Sequence, residues 1–392
     1  MKLPKGYLCA GLSAGIKQTS KKDLALVYSI VPAVSAGTFT KNRVVAAPVT
    51  LSRQVLKKGK CRAILVNSGN ANACTGQQGM QDAQTMQKEV SRLLKLFPSQ
   101  VVVASTGKIG ELLPIQKIRK SLPRLVASLS SKRGNEVVEA ILTTDRFPKT
   151  ASFEGTAGGK KYRLVGIAKG AGMIHPNMAT MLAFFMTDLA ISAKTLNRIF
   201  KKGVEHSFNR ITVDSDTSTN DMAVILANGL AKNRPLSSSD LLRFEKGLTQ
   251  VMQELARLIV KDGEGGTKVV TVHVEGARTQ KEAEKVAWAI ATSPLVKTAF
   301  YGQDPNWGRV LAAAGRSGAF FDPARVDLFY NKVPLLKKGR PTGIVGEKNA
   351  ARLMQKGEFV VTLRLHAGRG AFQVLTSDLT VDYVKLNADY RT

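Results

Sequence analysis

Apolar residues along the chain form two kinds of segment. Short, nearly continuous apolar runs are typical of buried strands, and longer segments in which apolar residues recur every three or four positions predict helices. The runs predict strands at residues 23–31, 62–67, 100–104, 162–168, 181–190, 222–227 and 268–274. The helical periodicity predicts helices at residues 82–97, 115–130, 193–206, 239–260 and 279–300. Because strands and helices mix without strict alternation, we expect an α/β protein with layered sheets rather than one doubly wound parallel sheet.

The last part of the chain predicts a smaller domain. Beyond residue 320 the apolar runs are short, and the clearest strands are expected at residues 358–365 and 372–376. A chain of 392 residues is long enough for a large core with an additional domain. We therefore expect an α/β core over residues 1–280 and a C-terminal α/β domain over residues 281–392.

One segment combines a broken loop with a buried strand. Residues 169–182 read KGAGMIHPNMATML, so glycines and Pro176 lead into Ala179 and Thr180, and an apolar run follows. Most threonines at the start of a strand are simply β-branched residues in a favoured place. A threonine hydroxyl becomes a nucleophile when a base takes its proton, and the α-amino group of an N-terminal threonine, with a pKa of about 7.7–8.0, is such a base. Cleavage between Ala179 and Thr180 would make Thr180 such an N-terminal threonine.

The amino-acid composition disfavours a membrane protein, a secreted protein and a disulfide-rich or zinc-binding protein. A hydrophobic content of 44% and a charged content of 22% are typical of a globular protein, and no window reaches about 18 consecutive apolar residues. Pro4, Lys5 and several glycines make the N-terminus a poor signal peptide. The three cysteines, at positions 9, 61 and 74, lack CxxC spacing, so they predict neither a disulfide framework nor a zinc site. A cytoplasmic location is expected.

The net charge of +29 is unusual and raises the question of nucleic-acid binding. The basic residues are spread along the chain in pairs, aromatic residues make up only 6%, and no nucleic-acid motif is present. Nucleic acid is therefore an unfavoured partner, although a basic nucleic-acid-binding protein stays as one alternative. The charge would steer anionic substrates, but neither a motif nor the likeness described next accounts for its size.

Several blocks lie in a fixed order around the 169–182 segment: 36–49 (AGTFTKNRVVAAPV), 65–76 (LVNSGNANACTG), 105–111 (STGKIGE), 143–149 (TTDRFPK), 212–221 (TVDSDTSTND), 261–268 (KDGEGGTK), 302–318 (GQDPNWGRVLAAAGRSG) and 386–392 (LNADYRT). Together they resemble the glutamate N-acetyltransferase (ornithine acetyltransferase) family of arginine biosynthesis. The resemblance extends over essentially the whole chain.

The resemblance implies a fold and a reaction. The expected fold is a four-layer α/β/β/α core like that of N-terminal-nucleophile enzymes, with self-cleavage into an α chain 1–179 and a β chain 180–392 that assemble as a heterotetramer of two each. The expected reaction moves acetyl from N2-acetylornithine to L-glutamate through an acetyl-Thr180 intermediate. No cofactor is expected, and whether acetyl-CoA also serves as a donor stays open. An aminopeptidase or amidase of the same architecture is the alternative enzyme.

The resemblance also assigns roles to residues outside the cleavage site. Thr106 and Gly107, after the strand at 100–104, match the oxyanion pair, although a simple turn after a strand gives the same pattern. Lys169 matches a group that binds a substrate carboxylate. Glu264, an acid in a glycine-lined loop, could bind the substrate ammonium group or support proton transfer, although a turn residue gives the same pattern. The family's remaining substrate contacts map onto Thr143 or Thr144, with Thr143 preferred, and onto Asn387 and Thr392.

Other polar residues fit structural roles better. His175 and the three other histidines lack metal-ligand spacing, so no metal is expected. Asp214 and Asp216 could belong to a cation site, but a cluster of side-chain turns is the preferred interpretation. Cys74 has no histidine context that would make it a nucleophile.

Overall fold

The apolar runs form the strands of two sheets. A computed structural model describes residues 1–175 and 181–389. The strands in those residues are β1 (Tyr7–Leu12), β2 (Leu24–Phe39), β3 (Lys60–Asn70), β4 (Val101–Lys108), β5 (Lys149–Ala157), β6 (Lys160–Lys169), β7 (Leu182–Thr187), β8 (Ile211–Thr212), β9 (Met222–Ala227), β10 (Val269–Ala277), β11 (Asp327–Tyr330), β12 (Val333–Lys337), β13 (Arg340–Pro341), β14 (Glu358–Arg364) and β15 (Gly370–Ser377).

The helices occupy the segments between these strands. They are α1 (Ala47–Lys57), α2 (Gly76–Leu93), α3 (Ile115–Ala127), α4 (Gly134–Ile141), α5 (Ala193–Glu205), α6 (Ser238–Lys261), α7 (Gln280–Ala291), α8 (Pro294–Tyr301), α9 (Trp307–Gly315), α10 (Ile344–Met354) and α11 (Val381–Asp389). Within residues 1–175 and 181–389, none of them combines the length and apolar character that a bilayer span requires.

The first sheet is mixed and has eight strands in the described residues, in the order β4-β3-β2-β9-β7-β6-β5, with β1 paired to β2. Strands β3 and β4 are parallel, as are β7 and β9. The β5–β6 hairpin turns through Gly158 and Gly159, whose φ values of 53° and 74° suit the tight turn that antiparallel neighbours prefer. This pairing places the ends of β4, β6 and β7, where the expected site residues lie, within one sheet.

Both faces of the first sheet are covered. On one face, Val102, Phe184 and Val224 belong to a buried cluster with Val138 of α4. On the other face, residues of β2, β3 and β4 pack with α2 and α3, as Ile118 does. Every residue of β7 and β9 is buried. This burial on both faces explains why these strands are continuous apolar runs in the sequence.

The second sheet has the strand order β13-β12-β11-β14-β10-β15-β8. Strand β10 pairs in parallel with β14 and antiparallel with β15. One face packs against α7, α8, α9 and α10 through a cluster that includes Phe300 and Phe359, whose rings meet edge to face at 5.5 Å. In β14, buried residues alternate with residues that are at least partly exposed, as expected for a sheet covered on one face.

The chain folds into two compact units. The first contains residues 1–209 and 216–259, and the second contains residues 210–215 and the described residues from 260 onward. The α/β class with layered sheets is confirmed. The expected boundary between folding domains at residue 280 stays a prediction.

One predicted helix is wrong. Residues 279–300 form two helices, α7 and α8, rather than one. Pro294 lacks an N–H and disfavours the helical conformation of the residue before it, so the first helix stops. Ser293 then caps the second helix, because its side chain accepts a hydrogen bond from the backbone N–H of Val296.

Candidate active site

A buried lysine lies at the end of β6. Lys169 is 4% exposed, and its Nζ donates to Oγ1 of Thr106 at 3.4 Å. An ammonium group has no acceptor, so the Thr106 oxygen accepts this bond and keeps its own O–H for donation. The same Nζ lies 3.9 Å from Oδ2 of Asp145. The structure therefore brings together Lys169 and Thr106, which the sequence analysis proposed separately.

Asp145 holds this arrangement in place. Its side chain is fully buried, with Nζ of Lys149 at 2.7 Å from Oδ1. The backbone N–H of Gly170 donates to Oδ1 at 2.7 Å, and that of Thr143 donates to Oδ2 at 3.0 Å. Burial opposes the charged form, but Lys169, Lys149 and the Thr143 N–H outweigh it and hold the pKa of Asp145 below its ordinary value. One carboxylate thus faces two ammonium groups, and the excess positive charge suits an anionic substrate group.

Thr106 and Gly107 occupy the end of β4, where the chain runs parallel to β3. Thr106 pairs with Ser68, and Gly107 pairs with Gly69. Gly107 has a φ of 132°, and a Cβ there would overlap the backbone of Gly69 and Asn70. Only glycine therefore fits beside Thr106, and the close approach of the two strands fixes the direction of the Thr106 side chain.

Two side chains fix this strand end from outside β4. Asn67 accepts a hydrogen bond from Oγ of Ser105 at 2.5 Å. Asn220 donates from Nδ2 to the carbonyl oxygens of Ser105, at 2.9 Å, and Ala71, at 2.6 Å. These contacts connect three of the sequence blocks, at 65–76, 105–111 and 212–221, around one turn.

The first described residue after the cleavage position is held at both of its backbone groups. The Met181 N–H donates to Oδ1 of Asp221 at 2.8 Å, and the Met181 carbonyl accepts from the N–H of Met222 at 3.1 Å. Ala179 and Thr180, the expected cleavage site and nucleophile, lie outside the described residues. Met181 is therefore the nearest described position to the expected chemistry.

The second unit brings two further expected residues together. Asn387, in α11, donates from Nδ2 to Oε2 of Glu264 at 3.1 Å. The loop carrying Glu264 lies close against this helix, because the Gly265 carbonyl accepts from Oγ1 of Thr380 at 2.8 Å. A side chain at Gly265, whose φ is 65°, would overlap the backbone at Tyr383. Thr392 lies outside the described residues.

The other candidates occupy less decisive positions. Thr143 and Thr144 are half-buried between α4 and β5, and Thr143 is connected to the site through its backbone contact with Asp145. Burial lowers the pKa of His175, against the opposing effect of Asp216. In the described part of the chain, the side chains of histidine, cysteine, aspartate and glutamate form no group of three or more that could hold a metal ion.

Sequence reasoning missed Asp145, Lys149 and Asp221. Asp145 and Lys149 belong to the TTDRFPK block, and Asp221 ends the TVDSDTSTND block, in which Asp214 and Asp216 were considered as a cation site. The one sequence feature that could have indicated these three residues is their place in blocks that resemble the family. Lys149 contacts Asp145 only four residues away, but Asp145 contacts Gly170 across 25 residues and Asp221 contacts Met181 across 40, and no local pattern shows those two contacts.

The chain is similar to known proteins over nearly its whole length. A model of the ArgJ family matches residues 8–392. The arginine biosynthesis bifunctional protein ArgJ of Geobacter sulfurreducens is 50% identical over 390 residues, which cover 99% of both chains. The protein of the same name from Syntrophotalea carbinolica is 48% identical over 389 residues, again 99% of both. A crystal structure of ArgJ from Bacillus halodurans, 41% identical, aligns with 52% of this chain and 96% of that chain at a TM-score of 0.50.

Replacing Asp145 tests the buried charge cluster. Asp145→Asn removes the carboxylate that faces Lys149 and Lys169, so the free energy of unfolding should fall by about 3–5 kcal/mol at pH 7. The pKa of Asp145 is depressed in the folded state, so its contribution is present above the unfolded value of about 3.9 and is lost as the pH falls through the folded value. The difference between the two proteins should therefore shrink below about pH 4.

Urea unfolding of both proteins measures this difference, in a Thr180→Ala background so that the expected cleavage does not divide the chain. Glu139→Gln is the matched control, because it breaks the partly exposed ion pair with Lys22 and should change stability by only about 0–1 kcal/mol. Equal, small effects of the two substitutions would show that the cluster does not stabilise the fold.

Proposed function

The chain belongs to the ArgJ family, and we propose that it transfers acetyl from N2-acetylornithine to L-glutamate through an ester on Thr180, as an enzyme of arginine biosynthesis. The observation that carries the proposal is the buried Lys169–Thr106 contact, beside Gly107 and anchored by Asp145. That arrangement offers a positive charge for a substrate carboxylate and a hydroxyl donor for an oxyanion. Both are needed when an acyl group leaves an amino acid.

The proposed self-cleavage creates the catalytic base. The Thr180 hydroxyl attacks the Ala179 carbonyl carbon, the C–N bond breaks, and the nitrogen takes up the hydroxyl proton. Water then hydrolyses the resulting ester, which releases the Ala179 carboxylate and leaves Thr180 with a free α-amino group. An amine with a pKa of about 7.7–8.0 is partly unprotonated near physiological pH, so it can accept the hydroxyl proton in the next reaction.

Acetyl transfer then uses the same hydroxyl twice. Thr180 Oγ attacks the acetyl carbon of acetylornithine while its amine takes the proton, and the amine returns that proton to the departing ornithine nitrogen. The acetyl ester on Thr180 is next attacked by the amine of glutamate, and the threonine hydroxyl is restored. Each attack forms a tetrahedral oxyanion that prepositioned donors stabilise, and we assign that role to the Thr106 hydroxyl and the Gly107 N–H.

Substrate recognition is assigned to charged and polar side chains. Lys169 would pair with the α-carboxylate that acetylornithine and glutamate share, and Thr143 would contribute a further contact. In the second unit, the Glu264 carboxylate, contacted by Asn387, suits a substrate ammonium group. Thr392 completes the set that the family resemblance implies.

Two properties of the relatives support further parts of the proposal. Nearly all of the Bacillus halodurans chain aligns with only about half of this chain, as expected if that protein is present in two pieces. The relatives are named bifunctional, which supports acetyl-CoA as a second acetyl donor for glutamate. We also propose a heterotetramer of two α and two β chains, and a cytoplasmic location, in which the three unpaired cysteines would stay reduced.

Mass spectrometry under denaturing conditions tests the cleavage. Active protein should give two fragments, residues 1–179 and 180–392, and Thr180→Ala should give one uncut chain without transferase activity. Thr180→Ser keeps a hydroxyl and should still be cut. A fully active enzyme that consists of one uncut chain would refute the mechanism.

Thr106→Ala tests the oxyanion role. Loss of one prepositioned donor should lower kcat by about 10²–10³-fold and change KM far less. Thr106→Ser keeps the hydroxyl and should retain most of the activity. If Thr106→Ala instead raises KM and leaves kcat unchanged, Thr106 binds substrate and does not stabilise the oxyanion.

An acetyl-transfer assay that offers acetylornithine and acetyl-CoA separately tests the reaction and the donor. Acetylornithine with glutamate should yield ornithine and N-acetylglutamate in equal amounts, and acetyl-CoA with glutamate should release free CoA. Release of acetate with no acetylglutamate would instead identify an amidase, which hands the acyl group to water.

A further inference from the structure

Asp378 is a buried aspartate that binds the loop ahead of β10. It lies between β15 and α11 and is 4% exposed. Its Oδ1 accepts the backbone N–H groups of Thr267, at 2.8 Å, and Lys268, at 3.0 Å, and its Oδ2 accepts from the Thr267 hydroxyl at 2.6 Å. Three hydrogen bonds from two consecutive residues offset the unfavourable burial of the carboxylate. The mechanism described above does not use Asp378.

The residues that Asp378 binds end the loop that carries Glu264. This loop connects α6 with β10 and covers residues 262–268. Asp378 holds the last two of these residues. Nearer the middle of the loop, the Gly265 carbonyl accepts from the Thr380 hydroxyl at 2.8 Å. The loop is therefore fixed, on both sides of its centre, to the segment that leads into α11.

The contact between Glu264 and α11 is itself exposed to water. Asn387 donates to Glu264 at the surface, whereas the Asp378 side chain is buried. Water competes for an exposed hydrogen bond, so the Asn387 contact alone does not determine where the Glu264 carboxylate points. A buried polar network whose members are all hydrogen-bonded makes the local structure rigid. Asp378 is therefore the stronger determinant of the position of the loop.

A buried lysine holds the chain on both sides of Asp378. Lys297, in α8, donates from Nζ to the Ser377 carbonyl and to Oγ1 of Thr376, the latter at 3.0 Å. The Lys297 carbonyl accepts the N–H of Leu379 at 3.2 Å. Burial lowers the pKa of Lys297 to about 8, and the Asp378 carboxylate acts in the opposite direction. The two buried charges therefore compensate each other, and both belong to the second unit, as does the Glu264 loop.

The proposed substrates differ in where they carry a positive charge. The α-nitrogen of N2-acetylornithine is an amide, so its one ammonium group lies at the end of its side chain. The amine of glutamate attacks the acetyl ester and must be unprotonated to do so. The Glu264 carboxylate therefore suits the side-chain ammonium of the donor. A donor without this group would leave the carboxylate without that partner, and such a site disfavours the incomplete substrate.

We propose that Asp378 is a positioning residue that sets the preference for the acetyl donor. By holding Thr267 and Lys268, it keeps the Glu264 carboxylate where it binds the side-chain ammonium of acetylornithine. Glu264 contacts the substrate, and Asp378 acts only through Glu264. The inference rests on the function proposed above and adds the residue on which its donor recognition depends.

Two donors that differ only in the ammonium group measure this preference. N2-acetylnorvaline has the carbon chain of N2-acetylornithine without the terminal ammonium. With glutamate as the acceptor, the wild type should use acetylornithine about 10–100-fold better in kcat/KM, the contribution of a hydrogen bond between charged groups. Asp378→Ala removes all three bonds to the loop and should abolish the preference, because kcat/KM falls for acetylornithine and stays the same for acetylnorvaline.

Conservative variants separate the hydrogen bonds from the mere presence of a side chain. Asp378→Asn keeps an oxygen that accepts the Thr267 and Lys268 N–H groups, so it should retain most of the preference. Thr267→Val removes only the hydroxyl bond to Oδ2 and should lower the preference about 2–10-fold, whereas Thr267→Ser should keep it. If Asp378→Ala fails to fold, an unchanged preference in Thr267→Val overturns the inference.

Asp327→Ala is the matched control. Asp327 is another buried aspartate of the second unit, and its Oδ1 accepts the N–H of Lys338 at 2.8 Å. Its replacement should lower the melting temperature and leave the donor preference unchanged.

The outcomes separate this inference from the proposed function. An Asp378→Ala enzyme with the wild-type preference would overturn the inference, and so would equal losses with both donors, because a residue with a purely structural role affects both alike. A wild type that transfers acetyl equally well from both donors would also overturn it and leave the proposed acetyl transfer intact. A wild type that transfers acetyl from neither would refute the proposed function, and this inference with it.

Discussion

The fully buried carboxylate of Asp145 is the interaction on which the candidate site depends. Two lysine side chains, Lys149 and Lys169, are buried beside it, and a buried ammonium without a partner is strongly unfavourable. Asp145 also accepts the backbone N–H groups of Thr143 and Gly170, so one side chain connects the turn before β5 with the end of β6. A buried ion pair contributes uncertain net stability, but it fixes geometry. Here the geometry it fixes is that of Lys169 beside Thr106.

Backbone packing supplies the second constraint. Parallel pairing of β3 and β4 places Gly69 opposite Gly107, and the backbone of Gly69 and Asn70 excludes any larger residue at position 107. The charge cluster positions Lys169 from one side, and this glycine contact positions Thr106 from the other. An oxyanion site requires donors that are in place before the charge develops. Rigid strand ends meet that requirement better than a mobile loop, because their conformation is already determined by the sheet.

The sequence predicted those parts of the fold that depend on local pattern. Strand β9 was predicted with its observed bounds, since its six residues are apolar and buried on both faces. Helix α5 was also nearly right, whereas the single helix over residues 279–300 ignored Pro294. Thr106 and Lys169 were named as site residues, but only through family likeness. Asp145 and Asp221 were not, because their roles arise from contacts with residues distant in the sequence, and an isolated aspartate in a polar loop has no distinguishing pattern.

The order of folding and chemistry follows from the same contacts. Met181 is bound on both sides by Asp221 and Met222, so the strand that follows the expected cleavage site is in register in the uncut chain. The groups that would stabilise an oxyanion lie in β4, Lys169 lies at the end of β6, and the positions of both depend on the completed sheet. An unfolded chain has none of these groups in place and has no catalytic base. Cleavage, and with it the base, should therefore appear only after the first sheet has formed, which links activity to correct folding without a separate activating protein.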